Sequence, residues 1–252
     1  MKTPRLLSAL FFVATALPWV PGILQADELG AFGEHSAAKH LVLIDRGGVL
    51  YDNWYAVLGK EPPAGTHPAY PKTGKQKGAS TWRCKECHGW DYKGTSGAYA
   101  KGSHYTGIAG IRNMTHAPIE ATVAILKNAT HGFGKLMPDE ELAALGHFVS
   151  HGQIDADDYI DRAAKKAKGD PARGERIFQT TCARCHGSDG KLLNFKTAAD
   201  PEYVGTVANE NPWETLHKIR MGQPGVPMIS MLAFEVRDHV DILAYAQTLP
   251  RK

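Results

Sequence analysis

Two short strings constrain this chain more than anything else in it. Cys84-Lys85-Glu86-Cys87-His88 and Cys182-Ala183-Arg184-Cys185-His186 both read C-x-x-C-H, use all 4 cysteines, and stand 98 residues apart. Two thiols three positions apart share one helical turn. Each can form a thioether with a haem vinyl group, while the adjacent imidazole reaches the iron as proximal ligand. Cys84, Cys87, Cys182 and Cys185 are therefore expected to attach two haem c groups, with His88 and His186 on the irons. A four-thiolate zinc site, redox-active dithiols and structural disulfides compete for such cysteines. Zinc would not need a histidine in the same place after both pairs, and a thioredoxin-like dithiol would want a strand and a helix around it.

The flanks of the two strings match. Gly47-Gly48-Val49-Leu50-Tyr51 precedes the first and Gly174-Glu175-Arg176-Ile177-Phe178 the second, each opening on glycine and closing on an aliphatic and an aromatic residue. After each string comes a helix start with proline first and glutamate two later, at Pro118-Ile119-Glu120 and at Pro212-Trp213-Glu214, the latter behind Asn211 as N-cap. A methionine beside a proline follows, Met137-Pro138 and Pro227-Met228. Each copy ends in an amphipathic helix, carried by Leu142, Leu145 and Val149 and by Val236, Val240 and Leu243. No stretch alternates as a strand does, so the expected fold is all-α with long loops.

This order of parts resembles the class I cytochrome c domain, over residues 41–152 and 171–252, and the whole chain looks like the tandem two-haem cytochromes c of bacterial periplasms. The resemblance implies electron transfer by ferric/ferrous cycling between periplasmic or membrane redox partners, through weak and transient docking. It implies a distal methionine at each iron: Met137 at the first, ahead of Met114, His104 and His116 and with His131 as chief rival, and Met228 at the second, ahead of Met221 and Met231. A histidine pair would lower the first potential relative to His/Met. The family also places a proline after the motif, whose carbonyl orients the proximal imidazole. Pro201 is available in the second copy, but no proline stands between His88 and Ala117 in the first.

The organisation expected is a signal peptide over residues 1–26, an N-terminal extension over 27–40, a first domain over 41–152, a charged linker over 153–170 and a second domain over 171–252. Lys2 and Arg5, the apolar run from Leu6 to Val20, and Ala26 before Asp27 form the signal pattern and imply a periplasmic protein. A membrane partner follows only if that segment stays uncleaved. The first domain carries about 29 extra residues between Tyr51 and Cys84, rich in proline and glycine, which read as a loop that covers a haem edge or docks a partner. Trp54, Trp82, Trp90 and Trp213 are expected around the porphyrins or the helix crossings. His35, His40, His67, His147, His151, His217 and His239 read as ordinary surface or core residues.

With 29 basic and 26 acidic residues, the formal charge of +3 is too small for a nucleic-acid footprint. The competing function is a catalytic dihaem oxidoreductase, or the haem subunit of one, with a displaceable ligand at the first iron. A thiolate ligand is ruled out once attachment has used every cysteine. A haem-based gas sensor would need an output domain, and none is legible.

Overall fold

The computed structural model describes residues 26–252, with side chains from residue 36 onward. The expected signal segment, except for Ala26, lies outside that range. Among the described residues no helix is long and apolar enough to cross a membrane.

Helix α1 runs over Ala26–Val57, so the expected extension at 27–40 is helical and continuous with the helix that carries Gly47 and Tyr51. Proline is absent from this stretch, and nothing in it forces a stop. The helix breaks at Asn53 (φ −155°, ψ 83°), whose Oδ1 accepts from the amide of Ala56 at 3.3 Å and restarts the last turn as a cap. The short helix α2 (Cys84–His88), then α3 (Ile119–Lys127) and α4 (Asp139–His147) complete the first half, with α4 running into a π-turn at Phe148–Gly152.

The second half begins with α5 (Ala156–Tyr159) and a minimal antiparallel pair, β1 (Ile160–Asp161) and β2 (Lys166–Ala167). Helix α6 (Pro171–Ile177) leads through a π-turn at Phe178–Cys182 into α7 (Ala183–His186). Helices α8 (Val204–Glu210), α9 (Pro212–Met221) and α10 (Val236–Ala246) follow. As the sequence suggests, Asn211 caps α9, its side chain accepting from the amide of Glu214, with Pro212 in the first turn. Helix α8 has no counterpart in the sequence reading.

One contact recurs in both halves. In the first, α1 crosses α4 at Gly47, where a Cβ would run into the Ala144 carbonyl and Phe148. In the second, α6 crosses α10 at Gly174, where a Cβ would run into the backbone of Asp241 and Ile242. Only a residue without a side chain lets the two backbones approach so closely. One turn further on, Tyr51 packs on Phe148 at 5.2 Å and Phe178 on Tyr245 at 5.3 Å between ring centroids.

Two hydrophobic clusters grow around these crossings. The first gathers Leu50, Tyr51, Trp54, Phe133, Met137, Leu142, Leu145 and Phe148. The second gathers Phe178, Trp213, Leu216, Val240, Ile242 and Leu243. They are not cleanly divided. Trp90 and Tyr99 belong to the second cluster and Met221 to the first, and Ala37–Lys252 form one compact unit.

The expected linker is a packed segment. Ile160 and Ala156 are buried in the second cluster, and three of its charges are paired with the first half: Lys93 meets Asp155 at 2.5 Å and Asp157 at 2.6 Å, while Arg162 meets buried Asp91 at 3.2 Å. A charged composition indicates solvent only when partners are missing, and here the first half supplies them. The insertion is likewise fastened down. The amide of His67 donates to Thr81 Oγ1 (2.9 Å), Trp82 Nε1 donates to the Gly65 carbonyl (3.0 Å), and Trp54 Nε1 donates to the Trp82 carbonyl (3.0 Å). The loop therefore closes over the first cluster, ending in a 3-10 turn at Gly78–Trp82 that leads directly into α2.

Candidate haem-binding sites

Each C-x-x-C-H string sits on one helical turn, as its spacing requires. All four thiols are free. Burial pushes the Cys84 and Cys87 thiols up to about 12 and that of Cys182 up to about 11. A reactive dithiol needs the opposite shift, toward the thiolate, so these surroundings do not suit disulfide exchange. They suit sulfur bonded to carbon.

His88 is half-buried and oriented. Its Nδ1 lies 2.7 Å from the Ala109 carbonyl, which only accepts, so Nδ1 carries the proton and Nε2 is left as a donor of electrons to a metal. The carbonyl is held by a bridge between Gly94 and Ala109, by the amide of Thr95 donating to Ile108, and by the amide of Ile111 donating to Tyr92. Ala109 thus does what the resemblance assigns to a proline. The requirement is for a carbonyl in the right place, and a backbone bridge supplies it. Burial lowers the His88 pKa, which favours the neutral ring a metal needs.

His131 is the group that the structure brings to His88. The two ring centroids are 6.4 Å apart and the planes differ by 18°. Nδ1 of His131 lies 3.3 Å from Asn128 Oδ1, and its carbonyl lies 3.2 Å from His67 Nε2, so the insertion helps position this residue. Burial, then the neighbouring His67, lower its pKa. Met137 stands in the first cluster, 4% exposed, with its amide donating to Phe133 at 3.0 Å.

The side chains between Cys84 and Cys87 are buried charges. Lys85 and Glu86 form an ion pair, and Glu86 also meets His104 Nδ1 at 2.8 Å. Burial alone would raise Glu86, but His104 and Lys85 outweigh it and hold the carboxyl at about 2. Lys85 and Lys218 both stand over the Trp90 ring, at 5.1 and 5.2 Å.

The second site is more open. Cys185 is exposed, and His186 packs edge-on against Phe195 at 6.0 Å. Nδ1 of His186 is buried without a hydrogen-bond partner, so the Pro201 carbonyl does not orient this imidazole in the structure. Met228 is half-buried on the loop after α9, bridged to Gln223, while Ile229 beside it and Leu192, Leu193 and Phe195 after the motif are exposed. Phe195 is the large apolar side chain seen against this imidazole, while Met228 lines a cavity with Asp45, Arg46 and Val49 of α1 and Met221 of α9; paired thiols with an adjacent imidazole still match the chemistry of a macrocycle that carries iron. The residues at both strings fit haem c.

Residues 169–245, which include the second string and Met228, match the family model for cytochrome C oxidase, cbb3-type, subunit III. Comparison with curated proteins and with solved structures returned no match. The chain therefore carries a c-type cytochrome domain in its second half, on a helical architecture consistent with that fold, and such a domain implies covalently bound haem c and haem-based electron transfer.

Proposed function

We propose that the chain is a dihaem electron carrier of the periplasm, with one haem c bound at each string and electrons passing between redox partner proteins by way of both. The observation that carries this reading is the repetition. The half without a family match has the same glycine crossing, the same aromatic pair and the same C-x-x-C-H turn as the half with one. A second use for the first string would not need the whole surrounding frame.

Bound haem supplies an iron that cycles between ferric and ferrous states. The chain's own residues do the rest. Cys84, Cys87, Cys182 and Cys185 would hold the macrocycles through sulfur, and His88, through Nε2, and His186 would hold the irons. The first cluster and the closed insertion exclude water from the first site. Met228 would supply the second ligand at the second iron. At the first, the facing rings of His88 and His131, 6.4 Å apart, support His131 in place of Met137 as the second residue that would hold the iron. His/His ligation lowers a potential relative to His/Met, so electrons would run from the first haem to the second.

Haem counting tests the reading. The mature protein should carry two haems per chain by mass and by pyridine haemochrome assay, and Cys84→Ala and Cys182→Ala should each leave one stably bound. A wild-type protein with a single haem, produced in a host with full maturation machinery, would refute the dihaem assignment.

A further inference from the structure

Three histidines outside both haem sites converge where α1 passes the end of α4. His40 comes from α1, His147 from the last turn of α4 and His151 from the π-turn that continues it. Ring centroids lie 5.1 Å apart for His40 and His147 and 4.8 Å for His40 and His151, and one ring nitrogen from each residue lies within 4.8 Å of the other two. The backbone beneath them is fixed. Gly47 abuts Ala144 and Phe148, and Ile44 lies where a Cβ on Gly152 would meet it at 2.8 Å, so the rings are carried on two packed elements and not on a loose surface.

We propose that His40, His147 and His151 form a cation site that takes a borderline divalent transition metal, with zinc as the probe. Three imidazole nitrogens and no thiolate suit zinc, copper or nickel, and not calcium or magnesium. Such a triad leaves a fourth position open for water. Nδ1 of His147 is buried with no hydrogen-bond partner, so this ring has a nitrogen that nothing else uses. Burial first, then His40, lower the pKa values of His147 and His151, with Glu120 opposing at His147 and His116 adding at His151, which favours the neutral rings that bind metal. Two further groups stand nearby: Glu120, whose charge acts on His147, and His116, whose ring lies 6.1 Å from that of His151. A bound ion would clip α1 to the end of α4 and stiffen the crossing on which the first half is built. The site is independent of the haem reading.

Zinc should be titrated into holoprotein of known haem content, with binding read by calorimetry and the coordination shell by zinc K-edge absorption. One zinc per chain in an all-nitrogen/oxygen shell is expected, with an unfolding temperature that rises with zinc. His40→Ala and His151→Ala should each weaken binding by at least the roughly 10–100-fold that loss of an outer-shell partner costs, with the haem spectrum unchanged. His151 is exposed, so its truncation tests binding without threatening the fold. Absence of stoichiometric zinc, or equal affinity in the His40→Ala/His151→Ala double variant, overturns the proposal. Protein that carries no haem fails the haem reading alone, and its zinc shell still decides this one, nitrogen supporting it and sulfur overturning it.

Discussion

Asn128 shapes what His131 can do. Its Oδ1 accepts from the amides of Thr130 and His131, both at 2.9 Å, and lies 3.3 Å from His131 Nδ1, which leaves Nε2 as the nitrogen directed elsewhere. With His88 Nδ1 likewise engaged by Ala109, each ring of the pair has one nitrogen held and one free. If His131 ligates the first iron, the ferric protein should show the weak far-red band of a sulfur–iron bond at the strength of one haem. Met228→Leu should abolish it and Met137→Leu should leave it intact, at a stability cost under about 1.5 kcal/mol, because leucine nearly conserves the volume. Loss of that band in Met137→Leu would return Met137 to the iron. Sequence alone ranks Met137 first because its place before the last helix matches. What it cannot convey is that the insertion, through His67 and the His131 carbonyl, braces a histidine six residues earlier.

Among the elements, the helix crossings make the sharpest demand on sequence. A Cβ on Gly47 meets main chain, which cannot step aside, whereas a Cβ on neighbouring Gly48 meets Cγ and Sδ of the buried Met221 side chain. Gly47→Ala should therefore cost roughly 1–3 kcal/mol by overpacking. Gly48→Ala should cost less than Gly47→Ala, since a side chain can shift where main chain cannot and the gain in helix propensity offsets part of that move. Denaturant midpoints of the two variants decide the matter, and equal losses would mean that close approach is not what selects glycine at 47. The matched places of Gly47 and Gly174, ahead of an aliphatic and an aromatic residue, are visible in the sequence, but the close approach that selects glycine there is a tertiary contact. Helix α8, by contrast, has no aromatic anchor or motif to announce it, and it forms because Ala208 packs into the second cluster and Asn209 donates to the Gln247 carbonyl at 3.0 Å.

Across the whole molecule, a buried polar seam joins the two halves. His217 on α9 donates Nε2 to the Gly48 carbonyl of α1 (3.1 Å), so its Nδ1 accepts from the Tyr92 hydroxyl (2.8 Å). Lys218 meets Asp52 at 2.7 Å, Arg83 joins the same carboxylate, and Arg220 donates to the Gly152 carbonyl at 3.0 Å. Burial above all, with Lys218 and Arg220 adding to it and Asp52 opposing it, holds His217 down at about 3 against an ordinary 6.5. The unfolded chain takes up this proton below pH 6.5 while the folded one does not, so stability is full above 6.5 and falls as pH drops toward 3, by up to about 1.4 kcal/mol per pH unit. His217→Gln should flatten the pH dependence in that window, and an unchanged slope would mean that the ring titrates freely. Asp52 acts lower down. Burial would raise it, but Lys218 and Arg83 prevail and hold it at about 2 against an ordinary 3.8, so its contribution is present above 3.8 and lost as pH falls toward 2.

Chemistry that depends on spacing along one helical turn was determined by the sequence itself: the paired cysteines, the adjacent histidines and the proline-led helices. These features are local, and the covalent chain carries them whatever surrounds it. Contacts between residues far apart in the chain were decided only by the tertiary structure. Ala109 orients His88, His131 comes to face it, and the charged stretch after Gly152 finds its counter-ions on Lys93 and Asp91. His40 meets His147 and His151 for the same reason. The four-residue spacing of the last two marks one helical face, but only the packing of α1 against α4 brings a third imidazole over it.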